Sequence, residues 1–206
     1  MEIIDLRKQF KASYTAKVKP EIIQVPPLNY ITIAGKGDPD SENFKAAVAA
    51  LYAVAYKLRF MIKQGKTSLE PFDYKVMPLE GQWFSDDYSK FTMDNKSAWQ
   101  WNAMIAVPQT ITMELLGEVI KAVQAKKGLP ELSKLKLETL TDGLSVQLMY
   151  IGAYDDEPPT IEAIHQFAYA QGYKLTGRHR EIYISDPRKT PAERLKTIIR
   201  QPIIKA

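Results

Sequence analysis

Three observations predict an α+β fold: an approximate internal repeat, helical and strand patterns that intersperse along the chain, and turn residues between adjacent apolar runs that read as antiparallel hairpins. In each half, of about residues 20–108 and 109–206, a strand leads through a turn into a helix. Each half then ends in a strand carrying one glutamate, Glu80 in the first and Glu181 in the second. Two such halves in a single domain imply pseudo-symmetry and a shared cleft, which makes the glutamates candidates for polar groups inside it.

The segment to Gln24 is charged and weakly patterned and, with Pro20, Pro26 and Pro27 behind it, reads as an arm or lead-in. Leu28 to Ala34 alternates and is β-branched, which favours a strand. Ser41 then precedes a helix whose Phe44, Val48, Leu51, Ala55, Leu58 and Ile62 form one apolar stripe. Tyr52 and Tyr56 make a second row that can fill the core or present rings at a cleft edge. Strands are expected around Phe72–Val76 and Leu79–Phe84, then a polar connection from Ser85 to Ser97, then a strand from Trp99 to Val107 ending at Pro108. A helix begins at Thr112 and stops at Gly128 after a basic last turn.

In the second half, Leu137–Leu140 and Leu144–Ile151 flank Thr141-Asp142-Gly143, a hairpin signal. Pro158 and Pro159 open a helix closed by Gly172, and two strands follow at Tyr173–Leu175 and Arg178–Ile184 around Thr176-Gly177. Thr190-Pro191-Ala192-Glu193 carries a cap, a first-turn proline and a capping-box glutamate, so a short helix through Ile199 is expected.

With 206 residues, 45% of them hydrophobic and 25% charged, the chain is long enough to bury roughly 70% of its unfolded surface. The absence of cysteine excludes a disulfide framework, a thiolate metal site and a cysteine nucleophile, and suggests the cytoplasm. The amino terminus has no signal-peptide pattern, and no window approaches the about 18 apolar residues of a membrane span. Net charge is +4, and the basic residues near the ends, including Arg178, Arg180, Arg194 and Arg200, read as a solvated face. No nucleic-acid-binding signature accompanies them. The two histidines, His165 and His179, form no metal motif, and no phosphate loop, dinucleotide fingerprint or serine elbow occurs, so no cofactor is implied.

Period-two geometry puts His179, Glu181 and Tyr183 on one face of their strand, with Arg180, Ile182 and Ile184 on the other. The companion strand places Glu80, Gln82 and Phe84 together, while Gly81 leaves the opposite face bare. A carboxylate among Tyr, Trp and Phe rings can receive a lipophilic cation. It can equally serve as a general base, since burial raises its pKa toward neutrality. Residue types alone do not separate the two uses.

The run from Gly177 through His179, Glu181, Tyr183 and Asp186-Pro187 to Thr190, with Ala192 to Thr197 behind it, resembles the carboxy-terminal signature of GyrI-like small-molecule-binding proteins. Pro26-Pro27-Leu28, Gly35-Lys36-Gly37, Pro78 to Trp83 and Trp99-Gln100-Trp101 are similar to its stand-alone branch. The resemblance implies duplicated strand-helix-strand-strand modules forming a curved antiparallel sheet around a central groove, as in the effector-binding domains of multidrug-responsive regulators. Glu181 matches the groove glutamate of those domains, and Tyr150, Trp83, Trp101 and Tyr183 would form its aromatic wall. Glu80 and Tyr56 join them as candidate ligand-binding residues. The DNA-binding domain of the regulators has no counterpart here, so a transcription-factor role is not expected.

Some stand-alone relatives open the cyclopropane ring of DNA-alkylating pyrroloindoles. In a chain with that activity, Glu181 would activate water and Tyr150 or a groove Trp would position the substrate. The family name also suggests protein contact with a topoisomerase. The expected partner is therefore a bulky planar or cationic lipophilic molecule, with hydrolysis and topoisomerase contact as alternatives.

Overall fold

The computed structural model describes residues 3–85 and 93–206. In chain order the elements are β1 (Ile3–Ile4), α1 (Leu6–Gln9), α2 (Lys11–Tyr14), β2 (Glu21–Val25), β3 (Leu28–Lys36), α3 (Glu42–Lys63), β4 (Asp73–Tyr74), β5 (Leu79–Phe84) and β6 (Gln100–Val107). Then follow α4 (Met113–Lys127), β7 (Lys136–Leu140), β8 (Gly143–Ile151), α5 (Pro158–Ala170), β9 (Tyr173–Leu175), β10 (His179–Tyr183) and β11 (Lys196–Lys205). The strand-helix-strand-strand order occurs twice, as β3-α3-β5-β6 and as β8-α5-β10-β11, and the fold is α+β; among the described registers all pairs are antiparallel apart from the short β1–β4 pair.

Packing divides the chain into two units. The first comprises residues 1–9, 28–77 and 83–140. Here β3 is central, antiparallel to β6 on one edge and to β7 on the other. The apolar side of α3 buries Ala47, Leu51, Val54, Leu58 and Ile62. Ser41 starts that helix by accepting a hydrogen bond from the Phe44 amide, and Thr112 caps α4 in the same way through Leu115. Gly35 on β3 is required by proximity: a β-carbon there would sit 2.2 Å from the Trp101 ring of β6. Asp73, buried beside α3, is held by Arg59 at 2.7 Å and Lys63 at 2.8 Å.

The second unit comprises residues 10–27, 78–82 and 141–206. Its axis is β11, paired with β8 on one side and with β10 and then β9 on the other, while β2 pairs with the outer edge of β8. One face of this sheet is apolar where α5 lies: Ile164 and Ala168 pack on Val146, Leu148, Ile199 and Ile203. The other face buries charge. Arg180 donates to Glu80 at 2.9 Å and pairs with Asp142 at 2.8 Å, and Arg200 pairs with Asp142 at 3.2 Å and donates to Gln147 at 2.9 Å. Tyr14 donates its hydroxyl to the second oxygen of Glu80 at 2.7 Å. Gln147 in turn donates to the backbone oxygens of Ala12 and Thr15.

The structure departs from the sequence reading at five points, and that network explains the first three. Residues 10–25 are not an arm, because α2 supplies Tyr14 and its backbone oxygens to the buried charges and β2 joins the sheet. Arg180 and Arg200 do not belong to a solvated basic face, since each is only 1% exposed. Asp142-Gly143 is not a hairpin turn: Asp142 is drawn in by both arginines, and β7 pairs with β3 whereas β8 pairs with β2 and β11. The segment after Thr190 forms only a single 3-10 turn at Ala192–Arg194 before β11, whose burial on both faces outweighs its capping signals. For the same reason β9 and β10 both pair with β11 and do not form a hairpin. Most of the polar connection read at Ser85–Ser97 lies outside the described residues.

Two arginines and two carboxylates balance in charge, so removing one member strands the others away from water. Asp142→Asn is expected to lower the unfolding free energy by about 3–5 kcal/mol in urea denaturation. A loss under about 1 kcal/mol, the range of an exposed pair, would show that the network is not holding the second unit together.

Candidate functional site

The site assembles on the α5 side of the second unit. Strand pairing sets Glu181 opposite Ile199 and Tyr183 opposite Thr197, and Thr197 opposite Tyr150 of β8. Paired residues in an antiparallel sheet share a face. The sheet therefore carries Tyr150, Thr197, Tyr183 and Glu181 on the face that α5 covers, opposite to Arg180 and Arg200.

Glu181 is 13% exposed in its side chain. Its Oε2 accepts the Tyr183 hydroxyl at 2.8 Å, and its Oε1 lies 3.3 Å from His179 Nε2, which donates in the tautomer protonated at that nitrogen. The Tyr154 ring meets Tyr183 edge to face at 5.6 Å. The alternation read from the sequence thus brings His179, Glu181 and Tyr183 together in space. The buried Nδ1 of His179 and Nε2 of His165 have no hydrogen-bond partner among the described residues. Burial, and then the proximity of His179, lower the pKa of His165 and favour its neutral form.

A second carboxyl belongs to this face, and the sequence reading missed it. Glu157 is 3% exposed, and its Oε1 has no hydrogen-bond partner among the described residues. Its local sequence explains this. Glu157 precedes α5, where a side-chain oxygen would ordinarily accept an amide of the first turn, but Pro158 and Pro159 have no N–H to offer. The Thr160 amide is already bonded to the backbone oxygen of Glu157. Burial, reinforced by the charge of Glu181, pushes its pKa up to about 9, with the nearby Thr197 hydroxyl opposing the shift. Thr197 Oγ1 nevertheless makes no hydrogen bond among the described residues. The enclosed position of Glu157 thus favours the protonated form. The signal for it was the run Glu157-Pro158-Pro159, which was read only as a helix start.

Tyr150 donates to the Ala153 oxygen at 2.9 Å, folding back over Gly152, where a β-carbon would lie 2.3 Å from the phenol oxygen. Burial, then Asp156 and Glu157, raise its pKa. Its ring also borders a cleft of about 450 Å³ shared with Lys19, Leu148 and Pro159, whose lining does not include Glu181.

Glu80, a candidate ligand-binding residue from the sequence, lies in the buried charge network of the second unit. It is 1% exposed, with its two oxygens held by Tyr14 and Arg180. In the first unit, Trp83 and Trp101 are buried and flank Phe44 with both centroid distances 5.1 Å, and Tyr56 is exposed and stacked on Tyr52. Among the described residues no cluster of three or more potential metal-ligating side chains occurs, and no helix is long and apolar enough to cross a membrane.

The model of the GyrI-like small molecule binding domain matches residues 18–204. The chain belongs to that family. A conserved, uncharacterized protein from Listeria innocua is 39% identical to this GyrI-like chain, with a TM-score of 0.91, covering 98% of it and 100% of the Listeria chain. A protein from the same organism described as a hydrolase is 38% identical, with a TM-score of 0.89 and the same coverage. The EcmrR C-terminal domain shares the fold at 13% identity, with a TM-score of 0.58 over 91% of this chain and 98% of that one. No curated protein sequence matches the chain. As a GyrI-like domain, it is a small-molecule-binding module.

The raised pKa of Glu157 has a consequence for stability. The folded state keeps a proton that the unfolded chain gives up near its ordinary value of 4.5, so stability is fully present below that pH and falls as pH rises toward about 9. The slope is at most about 1.4 kcal/mol per pH unit. Urea denaturation at several pH values between these limits is expected to show the decline in the parent protein and a flatter profile in Glu157→Gln. Parallel profiles would mean that Glu157 is ionised in the fold.

Proposed function

We propose that this GyrI-like chain binds bulky planar or cationic lipophilic molecules at Glu181. The observation that carries the reading is a carboxylate held by Tyr183 and His179, mostly withdrawn from water, with the Tyr154 ring set against Tyr183. Partial burial strengthens its attraction for a cation, and aromatic faces add about 0.5–2 kcal/mol each. Tyr150 lies on the same face and supplies further ring area.

Ethidium, planar, permanently cationic and fluorescent, tests this directly. Glu181→Gln keeps the size of the side chain and removes its charge, and it is expected to weaken ethidium binding about ten- to hundredfold, or ~1.5–3 kcal/mol. Unchanged affinity would remove the carboxylate from the binding reading.

A second reading is hydrolysis of cyclopropanoid pyrroloindole genotoxins. Its support is a second carboxyl, Glu157, whose pKa burial raises, on the same face as Glu181, an arrangement that suits acid-base chemistry, together with the 38% identical Listeria protein described as a hydrolase. In this reading Glu181 takes a proton from water as the water opens the ring, Tyr150 orients the substrate, and detoxification takes place in the cytoplasm. It predicts many turnovers per protein molecule and their loss in Glu181→Gln. Saturable binding of the pyrroloindole without product would eliminate it. The described residues add no observation in favour of topoisomerase contact.

A further inference from the structure

Glu157 is absent from the binding reading, yet it is more deeply buried than Glu181. Three geometric facts set its state. It is enclosed, its Oε1 has no donor, and the two prolines after it remove the amides that would normally solvate a carboxylate at a helix start. The neighbouring carboxylate, by contrast, already holds the Tyr183 hydroxyl and the His179 ring. A negative charge on Glu157 would be both buried and repelled by Glu181.

We infer that Glu157 and Glu181 act as a pair holding one proton, and that a lipophilic cation seated against Glu181 expels that proton from Glu157, leaving two carboxylates around one ligand. The inference rests on the binding reading above and extends it by naming a second anion and the reaction that generates it. The expelled proton passes to buffer, and no other bond changes. The groups that bear on Glu157 are Glu181 from β10 and Thr197 from β11, and Glu157 in turn bears on Tyr150 from β8; none of them is a cation. A bound cation would thus supply the positive charge that the site lacks. His165 and His179 also lie on this face, where burial and then His179 disfavour the protonation of His165 while Glu162 opposes them.

Such a pair sets specificity as well as affinity. With its proton in place, Glu157 can donate a hydrogen bond to a neutral planar ligand. Without it, the site carries two negative charges and prefers a cation. Affinity for a cation should therefore rise with pH, by up to about tenfold per unit, until Glu157 is ionised in the free protein as well.

Calorimetric titration of ethidium at pH 7, in phosphate and in Tris, reads the protons released from the dependence on buffer ionisation heat. The parent protein is expected to release close to one proton per ethidium, and Glu157→Gln none, with an affinity that no longer varies with pH. Saturable binding without proton release would overturn the inference and leave the binding reading standing. Release that persists in Glu157→Gln would assign the proton to another group, such as His179, and would overturn it too. Absence of saturable binding would overturn both, and the isotherm itself distinguishes that case. Carboxyl carbon resonances of the parent protein, followed with and without ethidium, provide a measurement that needs no variant. The Glu157 signal should change from acid to carboxylate on binding, and a signal that is unchanged, or already carboxylate before ethidium is added, contradicts the pair.

Discussion

The buried pairing of Arg180 and Arg200 with Asp142 and Glu80 is the constraint on which the second unit depends. Four charged side chains lie on one face of the sheet, and each has its opposite within hydrogen-bond reach. Their demand for partners organises distant parts of the chain. It recruits α2, holds Glu80, and turns Asp142 inward at the start of β8. Because β10 alternates, anchoring Arg180 on that face fixes Glu181 on the other. A one-residue slip would exchange their places. The position of Glu181 is thus set by an ion pair that it does not itself make.

The same alternation separates two uses of a glutamate. Glu80 is charge-balanced and saturated, which suits it to hold strands together. Glu181 is partly exposed and held by His179 and Tyr183, with no arginine against it as Glu80 has. Glu157 completes the contrast as a carboxyl left without compensation. An uncompensated buried acid costs stability, and such costs gather where a ligand offsets them. The two proposed readings of chemistry, cation capture and water activation, both draw on Glu181, with Glu157 beside it.

Much of this was legible in the sequence because it follows from local periodicity. The alternation of His179, Glu181 and Tyr183, the helices after Ser41 and Thr112, and the α+β class all rest on patterns spanning a few residues. What escaped was the long-range pairing of buried charge. Asp142-Gly143 has the composition of a hairpin turn, and nothing nearby reveals two arginines at 180 and 200 that pull the aspartate inside. Residues 10–15 are polar enough to read as an arm, although their backbone oxygens are wanted by Gln147. Thr190-Pro191-Ala192-Glu193 held sound capping chemistry, but Ile198 and Ile199 are worth more in a strand buried on both faces. Glu157 was legible in principle, since an acid followed by two prolines at a helix start is deprived of its donors.

The central claim is that one face of this sheet is structural and the opposite face receives the ligand. A crystal structure of the protein with ethidium bound tests it most directly. The account predicts the ring system within about 6 Å of the Tyr183 or Tyr150 ring, with its charge against Glu181, while Glu80 stays paired with Arg180. Ethidium seated against Glu80, with Glu181 still bonded only to Tyr183 and His179, would contradict it.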